Sequence, residues 1–503
     1  MKPSIRKMGL ATLATLATLA TLVALSAGCA APPAPAPAPA PVAASAAPAP
    51  QAAAPNPQVT AVMAQLRQAT PVAVPFSVAE IDRLHAGKGL TDCFWVGTLS
   101  PQTFNILSPD LAVVYWISQF KLPAGAKLEL KGQYPRARYM SFASYNPVGQ
   151  PVDGLADDAI RPDSGSANPF LSGAQRLGSQ RNFTVAVQTR PMQAGVRVDE
   201  ATRPANTLFV PTDEATYQVW MRVYVPDEGL GALGGVALPR PVMTLADGSK
   251  VEGEALCRQY VVKEGAVRDF RATKEGNKAL FNIQGAKAPY HPAQPGPVPW
   301  NSFFSPQFTV SNTLINTPFE PLRARMDSTR RSGFYGTLDN FYMTTYVDNR
   351  YGDALVIQAK APRTPRTVKG AAVLDANVDL RYWSICKGRS IHDGAVDACL
   401  FDEQVPRDAN GRYTVVVSTP AARPANARTE CGVAWMPWGV GDGIDNPHGG
   451  YVINRHMKPS PGFTQSLWST KVPGDERTVL GEYYPTTTYE AKGAFEARGC
   501  PVK

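Results

Sequence analysis

Charge is scarce in this 503-residue chain, with Asp, Glu, Lys and Arg together supplying 18% of it. So thin a charge excludes a strongly basic nucleic-acid binder and a charged disordered chain. Histidine is rarer still, at five residues, so acid–base chemistry resting on imidazole has few places to sit. No Gly-x-Ser-x-Gly elbow, Walker loop or His-Glu-x-x-His occurs, which removes the commonest hydrolase, P-loop and zinc-protease signatures. Cys-x-x-Cys is absent as well, and no cofactor is expected. What the chain does have is apolar material for real cores, at 44%, and an excess of proline, at 47 residues. Interior proline removes a helix hydrogen bond and clashes with the preceding turn, so that density disfavours long helical bundles.

The first residues read as an address. Lys2, Arg6 and Lys7 precede an apolar run from Met8 to Leu25, which ends in Leu25-Ser26-Ala27-Gly28-Cys29. This resembles a bacterial lipoprotein signal, with Ser26 where leucine is usual. The resemblance implies removal of residues 1–28 and lipidation of Cys29, with ordinary cleavage nearby as the alternative. Either way the protein is exported, to the periplasm or the cell surface, and the lipid would anchor it to a membrane. Loss of the three cations lowers the formal charge of +9 and leaves no argument for an acidic partner. Residues 29–58 follow as a tether. Residues 30–58 contain 10 Pro and 14 Ala, a composition that buries no apolar surface and extends like polyproline.

With Cys29 set aside, six cysteines remain, an even number that suits an oxidising compartment. Cys386 and Cys399 flank a short polar stretch between apolar segments and are expected to pair across a hairpin. Locality then suggests Cys93–Cys257 and Cys431–Cys500, although six cysteines allow fifteen connectivities.

The body reads as mainly β, with a few short helices expected at 59–66, 77–84 and 254–264. It also reads twice. Lys127-Leu128-Glu129-Leu130 and Arg138-Tyr139-Met140-Ser141 lead to Val152-Asp153, Phe183 to Val187, Arg203-Pro204-Ala205-Asn206, Leu208 to Pro211, and Tyr217 to Val225. Ala354-Leu355-Val356-Ile357 and Arg381-Tyr382-Trp383-Ser384 lead in the same order to Val396-Asp397, Tyr413 to Val417, Arg423-Pro424-Ala425-Asn426, Ala434 to Pro437, and Tyr451 to Met457. Such a series predicts two related antiparallel β-sandwich modules, 59–229 and 336–503, joined by a mixed segment, 230–335. The Arg-Tyr-aromatic-Ser strand and the Trp435-Met436-Pro437 step resemble uncharacterised exported bacterial proteins that carry a β-sandwich domain of unknown function. That resemblance implies a jelly-roll-like sandwich and an envelope location, and supplies no activity.

Candidate chemistry concentrates in the loop 438–448, an insertion relative to the first module, because loops on rigid scaffolds carry function. Trp438 and Tyr451, with Asp442, Asp445 and Asn446, are the candidate ligand-binding set, and Trp438 is expected to be exposed for sugar stacking while Trp435 packs in the core. Asp442 and Asp445 offer oxygen ligands to a Ca²⁺-type ion, although Asp and Asn are equally ordinary turn formers. Asp442, His448 and His456 are the weaker catalytic candidates. The acidic stretch Asp153, Asp157, Asp158 and Asp163 reads as a solvated loop or a cation or basic-partner site. The recurring Arg138/Arg381 and Arg203/Arg423 read as scaffold, bridging loops to carboxylates such as Asp153 and Asp397. The functional expectation is a non-catalytic envelope module binding a glycan or a protein. The alternatives are an extracytoplasmic hydrolase and a structural envelope component.

Overall fold

The computed structural model describes residues 93–263, 293–304 and 333–502, except 102–104, 148, 193–197, 213, 375–376, 390–393 and 442–446. All of these fall in the unit Pro55–Lys503. The helices expected at 59–66 and 77–84 lie outside the described residues, as do Asp442, Asp445 and Asn446.

The described chain is mainly β and builds two sandwiches. In the first, β1 (Trp95–Leu99), β2 (Val113–Phe120), β4 (Ala137–Tyr145), β5 (Pro151–Ala156) and β8 (Tyr217–Pro226) form one sheet in the order β1-β2-β8-β4-β5. Its second sheet runs β10-β9-β3-β6-β7, from β3 (Lys127–Gln133), β6 (Asn182–Arg190), β7 (Thr207–Pro211), β9 (Arg240–Thr244) and β10 (Lys250–Glu252). The expected connector 230–335 thus lends β9 and β10 to the first sandwich.

In the second sandwich, β11 (Asn301–Ser302), β12 (Asn340–Asp348), β14 (Leu380–Gly388), β15 (Val396–Phe401) and β18 (Gly449–Pro459) are ordered β11-β12-β18-β14-β15. Against them lies β17-β16-β13-β19, from β13 (Ala354–Lys360), β16 (Arg412–Ser418), β17 (Val433–Pro437) and β19 (Thr486–Glu490). The first sheets share one strand order, and β9-β3-β6-β7 corresponds to β19-β13-β16-β17, while β10 has no counterpart among the described residues. One feature departs from the fully antiparallel expectation: β6–β7 and β16–β17 pair in parallel, because the Arg-Pro-Ala-Asn segment carries the chain across before the next strand begins.

Burial patterns show how the sandwiches meet. In β3 and β6 the buried residues alternate with more exposed ones, as for a sheet wetted on one side. Every residue of β2, β4 and β8 is buried. The odd-numbered face of β4 explains this: Tyr139, Ala143 and Tyr145 belong to a cluster with Trp220, Tyr224, Tyr335, Tyr382, Phe401 and Met457, drawn from both sandwiches. Met140 and Phe142 point the other way, into the main core. The sheet containing β4 is therefore covered on both faces, once by its own partner sheet and once by the second sandwich.

Helix α1 (Gly253–Tyr260) is shorter than the 254–264 expected. Val261 and Val262 leave it to bridge the end of β2, with Val262 N–H donating to Gln119 C=O at 2.8 Å, a conformation that suits β-branched residues. The six cysteines pair as Cys93–Cys257, Cys386–Cys399 and Cys431–Cys500. Cys386 and Cys399 are direct cross-strand partners of β14 and β15. Three disulfides point to an oxidising, extracytoplasmic setting. Among the described residues no helix is long and apolar enough to cross a membrane.

Candidate functional site

The loop that the sequence singles out does not present the expected platform. Trp438, expected to be exposed, is 1% exposed. Its N–H donates to Ser418 C=O at 2.8 Å, which turns the ring onto the core, and the Lys387 ammonium lies 4.8 Å from the ring centre. Beneath it Lys387 pairs with Asp397 at 3.3 Å. Gly439 is needed here, at φ +85°, since a Cβ would collide with the Asp397 side chain. Tyr451 is also buried, its hydroxyl bonded to Ser108 Oγ at 2.6 Å and to Gly394 C=O at 3.2 Å. It ties the second sandwich to the loop before β2 rather than facing a ligand. Trp435 packs inside as expected, under the Arg423 guanidinium at 4.3 Å.

The histidines do not converge. His448 is exposed, with Nδ1 2.7 Å from Asn349 Oδ1. His456 is buried, and burial holds its imidazole neutral by pulling its pKa down to about 3. The two are eight positions apart along an extended strand, about 26 Å at the usual rise, so they cannot act on one substrate atom. As for metals, among the described residues only Asp110, Cys386 and Cys399 gather as a ligand set, but the two sulfurs are spent in a disulfide.

The arginines form the most organised polar feature, and they work between the sandwiches. Arg138, at the start of β4, is fully buried and reaches into the second sandwich. There its Nη1 meets Asp402 at 2.5 Å and its Nη2 meets Glu403, both in the single 3₁₀ turn Asp402–Gln404 after β15. Burial works against its charge, but the two carboxylates outweigh it and hold its pKa above the usual arginine value. Arg381, at the matching place in β14, reaches back to Asp157 and Asp158 at 3.6 and 3.9 Å. Those two begin the matching 3₁₀ turn, Asp157–Ala159. Lys458 adds a second cation to Asp158 at 2.5 Å. Burial pushes Asp157 up to about 7, against the pull of Arg381. Part of the acidic stretch is thus a docking element. Asp153 accepts a forked pair from Arg203 at 2.7 and 2.8 Å, as the scaffold reading expects. Asp397 takes Lys387 instead of an arginine, because Arg423 stacks on Trp435 and donates to Ala427 C=O.

A second exchange lies deeper. Across the central strands, Tyr115, Arg222 and Ser141 sit side by side in register, and so do Tyr342, Arg455 and Ser384. Arg222 donates to Tyr335 C=O at 2.6 Å and Arg455 to Ser108 C=O at 2.5 Å, each crossing to the other sandwich. Ser108 and Tyr335 both adopt positive φ, 56° and 51°, which turns their carbonyls to these arginines. Tyr139 donates to Asp339 at 2.7 Å, and Tyr382 to Asp110 at 2.8 Å. Arg222 and Arg455 were not singled out in the sequence, although Arg222 is the lone Arg or Lys of its apolar closing strand and Arg455 shares its strand only with Lys458 near the end. Their equal spacing from the strand end was the available signal.

No family model and no curated protein matches the chain. Among solved structures it is similar to an uncharacterized protein of Burkholderia cenocepacia, at 13% identity and TM-score 0.42, covering 82% of this chain and 85% of that one. It is also similar to the VPA0106 protein of Vibrio parahaemolyticus, at 11% identity and TM-score 0.35, covering 76% and 90%. At those values neither likeness bears on what this chain does.

Proposed function

We propose that this chain is an exported envelope protein, anchored by lipid at Cys29, that binds a ligand without transforming it, and that the binding region lies between the two sandwiches. The observation carrying this reading is the pair of Tyr-Arg-Ser rows buried at that interface, where fixed donors converge in a setting of low dielectric. Catalysis loses its support with the separation of His448 from His456. A glycan platform on the loop 438–448 loses the two aromatic rings expected to form it. We further infer that the sandwiches are copies of one module of unknown function; matching strand orders, matching Arg-Tyr-x-Ser strands and the reciprocal arginine exchange support that reading.

The test is a thermal-shift screen of the mature chain, secreted in soluble form as Cys29→Ser, against glycans, small organic acids and metal ions. The reading expects a saturable shift with at least one compound, and wild-type protein in the membrane fraction. No shift with any compound would overturn ligand binding, and wild-type protein in the soluble fraction would overturn the anchor.

A further inference from the structure

The two polar rows are not equally satisfied. In the second sandwich a carboxylate completes the row: Asp110 Oδ2 accepts from Tyr382 at 2.8 Å and from Ser384 Oγ at 2.6 Å, and lies 3.5 Å from Arg455 Nη1. In the first sandwich the corresponding tyrosine, Tyr139, is held by Asp339, but among the described residues no carboxylate hydrogen-bonds Arg222 or Ser141. Arg222 is 1% exposed and pairs with no Asp or Glu among the described residues. Its Nη2 bonds the Tyr145 hydroxyl and Tyr335 C=O, and its Nη1 has no partner. Directly across the strand pair, Ser141 Oγ is buried beside the Tyr139 hydroxyl, a side-chain neighbour of hydrogen-bonding type, and makes no well-aligned bond among the described residues. The rings around Arg222 (Tyr115 at 5.2 Å, Tyr145 at 5.6 Å, Trp220 at 5.7 Å) stabilise a cation but carry no negative charge.

A guanidinium out of water and without a counter-charge is costly, and its idle N–H, facing the poorly aligned Ser141 hydroxyl, points to one missing acceptor. We infer that Arg222 Nη1 and Ser141 Oγ bind the carboxylate of a small organic acid, much as the Asp110 carboxylate serves Arg455 and Ser384 in the other half. This rests on the ligand-binding reading above and names its ligand class. A carboxylate matches the donors because it accepts from a guanidinium and a hydroxyl at once, as Asp110 does. Both donor atoms are closed to solvent, so exchange requires the sandwiches to part locally and a bound acid is released slowly.

The test compares thermal unfolding of the Cys29→Ser mature chain in acetate, propionate and chloride at matched ionic strength. The expected result is a midpoint that rises with each tenfold increase in acetate or propionate above that in chloride. Arg222→Met should abolish the difference. Ser141→Ala, which keeps the charge and removes one small hydroxyl, should weaken the apparent affinity at least threefold and serves if Arg222→Met does not fold. Equal midpoints in acetate and chloride, or a rise that survives both Arg222→Met and Ser141→Ala, would overturn the inference. If acetate fails while another compound class in the screen shifts the midpoint, only this inference falls; if every compound fails, the ligand-binding reading falls with it.

Discussion

Arg138 is the residue whose loss should be felt most. Replacing it with methionine keeps most of the volume but strands Asp402 and Glu403, whose side chains are 0% and 5% exposed, without their cation. Breaking a buried pair by removing one partner costs about 3–5 kcal/mol, because the surviving charge stays buried. Arg381→Met provides the internal control: its side chain is 13% exposed, its partners lie at 3.6 and 3.9 Å, and Lys458 remains to hold Asp158. That substitution should cost about 1 kcal/mol, in the range of partly exposed pairs. Urea unfolding of the mature chain at pH 7 reads both. Adding Asp402→Asn and Glu403→Gln to Arg138→Met should recover at least half the loss, because no carboxylate is then left unpaired. An Arg138→Met cost below about 1 kcal/mol, or one equal to that of Arg381→Met, would refute the reasoning.

Two further outcomes follow from the same structure. The Asp157 carboxyl, raised by burial from 3.8 to about 7, holds a proton in the native state that the unfolded chain has released between those values. Native protein then binds more protons than unfolded protein, so this group makes stability fall as pH rises through that window, by up to about 1.4 kcal/mol per unit. Urea midpoints from pH 4 to 8 should show a shallower decline in Asp157→Asn than in wild type; parallel profiles would contradict the assignment. Among the disulfides, Cys93–Cys257 closes a separation of 164 residues and Cys386–Cys399 one of 13. Loop-closure entropy then assigns about 5 and about 3 kcal/mol, so the paired Cys→Ser variants should rank in that order by calorimetry.

Much of the fold was legible because it is written in short-range pattern. Alternation, turn residues and two parallel series of motifs located nearly every strand the repeat used, from Lys127–Gln133 to Gly449–Pro459, and local spacing paired the cysteines. The parallel pairing of β7 and β17 was not legible, since pairing direction depends on where a crossover lands rather than on residue type. The polar interface was half legible. Arg138 and Arg381 stood out as scaffold because they recur, but their partners did not, since each reaches a carboxylate on the other sandwich and nothing in one module's sequence encodes the neighbour. Trp438 misled for a related reason: a glycine-rich loop suggests exposure, while the ring is fixed by a backbone bond to Ser418 and by the buried Lys387 beside it. Arg222 became informative only beside Arg455, when one row proved to hold a carboxylate that the other lacks.

The claim that the interface holds an acid is tested most directly by native mass spectrometry of the mature chain as it leaves the cell. The account predicts a retained mass of one small organic acid on the wild-type protein, lost on denaturation and absent from Arg222→Met. A native mass equal to that of the disulfide-bonded polypeptide alone, unchanged after incubation with acetate or propionate, would contradict it.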